Sequence, residues 1–445
     1  MSGTGDRARI AVFGLGYVGC VSAACFADRG HEVIGVDVAP SKVQMVTEGR
    51  TPVVEERIGE LIAEVVGSGA LRATADVAEA VAGTDVALIC VGTPSDASGG
   101  LSTQYLERVA EQIGDALRER DGRYTVVFRS TMMPGTCEDV LKPILEEHSG
   151  LVAGEGFGLA VNPEFLREGS SVRDFHDPPK TVVGQYDEAS GDVVVGLYEG
   201  LPGPVHRVPV RVAEMTKYAD NTFHALKVGF ANEIGALCSA LGVDSHEVMD
   251  IFRADTKLNI SPAYLRPGYA FGGSCLPKDL RALLHAARHT DTDVPILAGI
   301  LPSNERVVER AFALVERAGN RRVGMLGLSF KAGTDDLRES PLVELAERLL
   351  GRGYDLLIHD GHVALSHLQG ANRDFIAARI PHLEKLMAST PEAVVAHGET
   401  IVVGSAPPEA VAALGGAESR AIVDLVRFPG SEALAGAPTY AGIAW

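Results

Sequence analysis

Two regimes of apolar spacing alternate along this chain. Near each end, short and almost wholly apolar runs are followed by longer stretches in which apolar residues recur every three or four positions. Runs of the first kind predict strands buried on both faces, and stretches of the second kind predict helices lying on them. The first group of strands is Arg9–Phe13, Glu32–Val36, Val86–Val91, Thr125–Arg129 and Gly158–Val161, with a helix over Cys20–Arg29. The second is Arg322–Leu328, Tyr354–His359, Thr400–Val403 and Ala421–Val426, with a helix over Leu342–Arg352. Between the groups, Val208–Leu241 keeps a helical pattern with no proline after Pro209 and only Gly229 and Gly235 as interruptions. Shorter helices are expected at Val243–Phe252 and Leu280–Arg288. The pattern implies an α/β protein with two Rossmann-like doubly wound domains joined by a long central helix and a small helical domain. The expected divisions are 1–205, 206–305 and 306–445, because 445 residues exceed what one ordinary core holds.

Composition narrows the partners. Lysine and arginine number 40 against 59 aspartates and glutamates, a formal charge of -19. Such a surface repels nucleic acid and anionic membranes, so neither is expected as a partner, and an anionic substrate must meet local positive charge. No apolar run reaches the roughly 18 residues of a membrane span. Met1–Arg9 is polar and leads straight into a strand, so a cytoplasmic protein without a signal peptide is expected. Cys20, Cys25, Cys90, Cys137, Cys238 and Cys275 show no paired metal-ligand spacing. Free thiols are expected, with no metal site.

The first strand runs into Gly14-Leu-Gly16-Tyr17-Val18-Gly19, and the second ends at Asp37. Gly14 suits a tight turn, Gly16 a close approach to a pyrophosphate, and Gly19 close packing of helix on strand, while an acid at Asp37 suits ribose hydroxyls. That acid repels a 2'-phosphate, which favours NAD over NADP. Thr93, Ser130 and Thr131 follow later strands and are placed to line the cleft, although each hydroxyl is equally suited to capping a helix. Glu164, Arg167 and Glu168 crowd another strand end, where they are either used in chemistry or form a solvated salt bridge. Lys217, Asn221 and His224 share one face of the long helix, which is either a functional stripe or its wet side. Val212, Met215, Phe223, Leu226, Phe230 and Leu237 lie on several sides of it, so a homodimer or a dimer-based oligomer through this spine is expected. The second sheet lacks the glycine fingerprint, and Lys331 suits a nucleotide diphosphate. Arg338, near Asp335 and Asp336, fits that site or a structural ion pair.

One loop carries a candidate nucleophile. Phe271-Gly272-Gly-Ser-Cys275-Leu-Pro-Lys278-Asp279 sets a thiol behind two glycines that allow close approach to a ligand, and follows it with a lysine and a carboxylate. A nearby cation activates a thiol, and the thiolate attacks a carbonyl to form a covalent intermediate. A buried structural cysteine is the alternative.

Together these residues resemble the UDP-glucose and GDP-mannose dehydrogenase family. The resemblance rests on Gly-Leu-Gly-Tyr-Val-Gly at 14–19, Val-Gly-Thr-Pro at 91–94, Asn-Pro-Glu-Phe-Leu-Arg-Glu at 162–168, Glu-Met-Thr-Lys at 214–217 and the cysteine loop. Residues 266–279, 330–346 and Gly370-Ala-Asn are most similar to its GDP-mannose branch, with UDP-glucose oxidation as the alternative. The resemblance implies oxidation of a nucleotide sugar at C6 to a uronic acid in two steps, with NAD as cofactor. It implies that Cys275 adds to the aldehyde, that Lys217 and Asn221 stabilise the developing oxyanion, that Asp279 and Thr131 hold a water or accept a proton, and that Glu164 serves in thioester hydrolysis. It also places Tyr17, Val18, Lys42, Glu168, Lys278 and Arg338 near the cofactor. Phe165, Leu166, Arg167, His224, Arg266, Tyr269, Phe271, Gly272 and Lys331 fall near the substrate. One departure stands out: the family's Glu-Pro-Gly turn reads Glu55-Glu56-Arg57 here, which puts the loop geometry and NAD affinity in question.

Overall fold

The apolar runs become two mostly parallel sheets, because a strand with apolar residues on both faces is stable only with cover on both. The computed structural model describes residues 7–94, 101–167, 169–265, 267–273, 276–329, 337–361, 363, 383–415, 417 and 419–445. Compactness divides the chain into two units, 1–225 and 226–445.

The first unit begins with β1 (Arg9–Phe13), α1 (Tyr17–Asp28), β2 (Glu32–Val36), α2 (Pro40–Thr47), α3 (Ile58–Gly67), β3 (Leu71–Thr74), α4 (Val77–Gly83) and β4 (Val86–Ile89). It continues with α5 (Gln104–Arg118), β5 (Thr125–Phe128), a wide helical turn over Thr136–Leu141, α6 (Lys142–Ser149), β6 (Gly158–Val161), α7 (Ser171–His176), β7 (Thr181–Gln185), α8 (Glu188–Leu197) and β8 (Val205–Pro209). Its sheet runs β3-β2-β1-β4-β5-β6-β7-β8. All pairings are parallel except β6 with β7, where Val161 faces Gly184. Side chains alternate between two cores: Ile10 and Val12 enter the layer beneath α1 and α3, whereas Ala11 and Phe13 enter the layer beneath α4, α5 and α6. Strands β3, β7 and β8 carry too little uninterrupted apolar pattern to be read from sequence.

Several strands stop short of their apolar runs. β4 ends at Ile89 rather than Val91, β5 at Phe128 rather than Arg129, and, in the second sheet, β9 (Arg322–Leu326) ends before Leu328. The following residues are buried or partly buried, but their backbone leaves the ladder to form the loops at the carboxyl edge, which is where an open α/β sheet holds its ligands.

The long helix α9 spans Val210–Ala240, followed by α10 (Ser245–Ala254), α11 (Leu276–His289) and α12 (Pro295–Ala318). Not all of α9's apolar residues are left for a partner chain. Leu237 is buried with Ala287, Val294 and Leu297, and Phe230 packs against that cluster. Val212, Met215, Phe223 and Leu226 remain exposed. Glu233 accepts hydrogen bonds from the backbone N–H groups of Ile296 (2.7 Å) and Leu297 (2.9 Å) at the start of α12. Such a capping carboxylate satisfies donors that a helix N-terminus otherwise leaves unpaired.

The second sheet runs β10-β9-β11-β12-β13, where α13 (Pro341–Gly351) precedes β10 (Asp355–His359), and β11, β12 and β13 are Thr400–Val403, Ala421–Asp424 and Tyr440–Gly442. All its pairings are parallel. This is a doubly wound order with its switch point between β9 and β11.

Candidate active site

At the first switch point, Gly14 adopts φ +92° and its N–H donates to Val36 O at 2.7 Å. A Cβ on Gly19 would lie 1.8 Å from Gly14 O, so glycine there is a packing requirement. A Cβ on Gly16 would meet nothing within 4 Å. The N-terminus of α1 therefore opens onto free space, with no side-chain cap and no acid in its first turn. These features fit the pyrophosphate of NAD. Asp37 is buried and accepts from the N–H groups of Leu15 (2.7 Å) and Ala39 (2.8 Å), with Lys42 Nζ at 3.1 Å. The carboxylate expected to hold the ribose thus fixes the glycine turn.

The second switch point repeats this arrangement. Gly327 has φ +96° and its N–H donates to His359 O at 2.8 Å, while Asp360 accepts from the N–H groups of Leu328 (2.8 Å) and Ser329 (3.0 Å). Glycine, leucine and the acid after the next strand recur, with Ser329 where the first turn has Gly16.

After Pro52, Glu55 keeps the first residue of the expected Glu-Pro-Gly turn, and the departure lies at Glu56-Arg57. Glu55 accepts from the Tyr17 hydroxyl and from the N–H groups of Gly169 (2.8 Å) and Ser171 (3.3 Å). These donors hold its carboxyl below the ordinary range against the opposing effect of burial. Tyr17, expected at the cofactor, spends its hydroxyl on Glu55 and on Arg167 O at 3.1 Å, fastening the 167–171 loop. Arg57 takes φ +64°, a left-handed conformation that suits glycine. Arg57→Gly is expected to stabilise the protein by about 0.5–1 kcal/mol, the relieved strain less the added unfolded-chain entropy. The denaturant midpoint measures it, and a lower midpoint at unchanged slope would show that the Arg57 side chain contributes more than its backbone costs.

Of the strand-end hydroxyls, Thr93 donates to Thr131 O (2.8 Å) and Ser130 to Val91 O (2.6 Å). Both stitch the ends of β4 and β5 together, an alternative to the cofactor contact and helix cap expected for them. The Thr131 hydroxyl makes no hydrogen bond among the described residues. Beyond it, buried Glu214 accepts from the N–H groups of Gly135 (2.6 Å) and Cys137 (2.9 Å), clamping this loop to α9. Burial pushes its carboxyl above the usual range. Sequence inspection gave Glu214 no role.

The charged cluster after β6 is paired differently from its sequence order. Arg167 turns to Asp174, with Nε at 2.9 Å and Nη2 at 2.7 Å from the carboxylate. Glu164 pairs with Lys217 across the fold at 2.8 Å, with side chains only 13% and 10% exposed. It also accepts from the N–H of Leu166 at 2.7 Å. Phe165 lies beneath Lys217, whose ammonium is 5.6 Å from the ring centre. Asn221 and His224 follow on α9 and are exposed. A nearly dry ammonium beside a carboxylate and an aromatic wall can stabilise a developing oxyanion.

In the second unit, both glycines before the cysteine are required by the protein's own packing and backbone. A Cβ on Gly272 would lie 2.3 Å from Glu339 O, and Gly273 has φ +87°. Asn304 of α12 clamps Phe271 by accepting from its N–H (2.9 Å) and donating to its carbonyl (2.8 Å). Nothing local marks Asn304, which lies more than 30 residues away. Tyr269 packs against the core and donates to Pro341 O at 3.1 Å. Lys278 and Asp279 are exposed and pair with each other at 2.9 Å. Arg338 is half-buried. Glu168, Arg266, Cys275, Lys331, Asp335, Asp336 and Gly370-Ala-Asn lie outside the described residues.

The buried thiols of the first unit are poor nucleophiles: burial pushes Cys20 up to about 11, Cys25 and Cys90 to about 12, and Cys137 well above the ordinary value. Among the described residues, no cluster of three metal-ligating side chains occurs and no helix is long and apolar enough to cross a membrane.

Three models of one family match the chain in order: the UDP-glucose/GDP-mannose dehydrogenase NAD binding domain over residues 8–202, central domain over 211–306 and UDP binding domain over 324–425. The GDP-mannose 6-dehydrogenase of Pseudomonas putida is 50% identical over 438 residues, covering 98% of this chain and 100% of that protein. The UDP-glucose 6-dehydrogenase of Haloferax volcanii is 36% identical over 359 residues, covering 79% of this chain and 83% of that one. A crystal structure of a ternary complex of the GDP-mannose dehydrogenase of Pseudomonas aeruginosa matches with a TM-score of 0.94 at 47% identity, covering 98% of this chain and 100% of that one. With its NAD-binding turn, its motifs and its full length matched, the chain belongs to the UDP-glucose/GDP-mannose dehydrogenase family.

Proposed function

We propose that this protein oxidises GDP-mannose to GDP-mannuronate at C6, using NAD. The observation that carries the choice of substrate is 50% identity over nearly the whole chain to a GDP-mannose 6-dehydrogenase, against 36% over a shorter span to a UDP-glucose 6-dehydrogenase. NAD, when bound, supplies the hydride acceptor. Gly14, Gly16 and Val18 receive its pyrophosphate on a turn that Gly19 packs tightly, and Asp37 with Lys42 its ribose.

The chain's own groups do the rest. Lys217 and Asn221 stabilise negative charge on the C6 oxygen as the alcohol loses its proton, and Thr131 and Asp279 serve the proton's departure. The Cys275 thiolate adds to the aldehyde carbon, keeping the half-oxidised sugar attached until the second oxidation has produced a thioester. Glu164 activates the water that releases the acid. Its ion pair with Lys217 supports this reading, because that contact keeps the carboxylate next to the group that stabilises the oxyanion. Phe165, Leu166, His224, Arg266, Phe271 and Lys331 belong to the substrate side. The exposed apolar residues Val212, Met215, Phe223 and Leu226 of α9 support a homodimer, and the use of NAD and a nucleotide sugar supports a cytoplasmic location.

NADH formation followed by absorbance with GDP-mannose and UDP-glucose tests the substrate. GDP-mannose is expected to give two NADH per sugar, with kcat/KM at least about tenfold above UDP-glucose. Two NADH per UDP-glucose with GDP-mannose inert would reverse the assignment.

A further inference from the structure

Two ammonium groups share one aromatic ring in the first unit. Lys180, the residue before β7, places its Nζ 4.6 Å from the centre of Phe165, and Lys217 approaches the same ring at 5.6 Å. Each cation has its own carboxylate: Lys217 pairs with Glu164 at 2.8 Å, and Lys180 with Asp220 at 2.7 Å. The Lys180 and Asp220 side chains are only 28% and 26% exposed, so this second pair is largely shielded from solvent. Asp220 stands three residues after Lys217 on α9. At that spacing a carboxylate and an ammonium on one helix reach each other. Asp220 therefore has two cations within range, one across the fold and one on its own helix.

We propose that Lys180 is a positioning residue that sorts these partners: by holding Asp220 it leaves Lys217 to Glu164 and to the reacting oxygen. Removing Lys180 frees a shielded carboxylate to take Lys217 away from that position, whereas removing both members leaves Lys217 where it was. An ion pair that only fastened α9 to β7 would behave differently, since losing either member or both would loosen the same joint. This inference rests on the oxyanion role of Lys217 proposed above.

The experiment measures steady-state NADH formation from GDP-mannose by the full chain carrying Lys180→Met, Asp220→Asn, or both. Lys180→Met is expected to lower kcat about tenfold with KM changed less than about threefold, and adding Asp220→Asn to restore kcat to within about threefold of wild type. Lys180→Gln, which keeps a polar end, provides the same comparison should the methionine variant fold poorly. Wild-type kcat in the single Lys180 variants, or a double variant as slow as Lys180→Met or slower, would overturn the inference. Lys217→Ala run alongside separates the two ideas: unimpaired turnover there would locate the fault in the role given to Lys217.

Discussion

Cys275→Ser is expected to lower uronate formation by on the order of 10³-fold or more while leaving NAD and nucleotide-sugar binding within a few-fold of wild type. A serine hydroxyl at neutral pH is a far weaker nucleophile than a thiolate, and the exchange alters one atom. Binding should survive because the loop is held by other residues: Asn304 clamps Phe271, and Gly272 is pressed against the backbone of Glu339. The family's chemistry has no substitute among the buried thiols, since Cys20, Cys25 and Cys90 are kept protonated by burial. Product analysis by chromatography, with binding by calorimetry, checks the result. Wild-type uronate formation by the serine variant would sink the covalent route.

Lys217→Ala should reduce kcat by on the order of 10²- to 10³-fold, the scale for removing one preorganised oxyanion donor. The ammonium is almost fully shielded and sits on Phe165, so water does not readily replace it. The same change strands Glu164 in a nearly buried position, which costs up to about 3 kcal/mol when one partner of such a pair is lost. Thermal unfolding must therefore be measured beside the kinetics, at a temperature where the variant is folded. A raised KM with kcat intact would make Lys217 a binding residue instead.

The expected α/β class and nucleotide turn agree with the structure because they are local. A strand, a Gly-x-Gly-x-x-Gly turn and a helix are fixed by residues within about one turn of each other, and the acid after the next strand follows at set spacing. Gly14 and Gly19 do what their positions imply, one by its positive φ and the other by contact with Gly14 O. The cysteine loop, too, was visible as chemistry out of place in a core.

Pairing of charges was not legible. Glu164 reads as the neighbour of Arg167, yet Arg167 goes to Asp174 and Glu164 to Lys217, more than 50 residues on. Ion pairs form between groups that folding brings together and desolvates, and sequence distance carries little of that information. The roles of Glu214, Glu233 and Asn304 were not legible for the same reason: each satisfies backbone groups of a distant segment. By itself the sequence determined which residues are chemically able to act and the periodicity that folds them into two nucleotide-type sheets. Only the tertiary structure decided which carboxylate meets which cation and which distant backbone groups a side chain satisfies, because those depend on burial and on distances between segments that the chain does not encode locally.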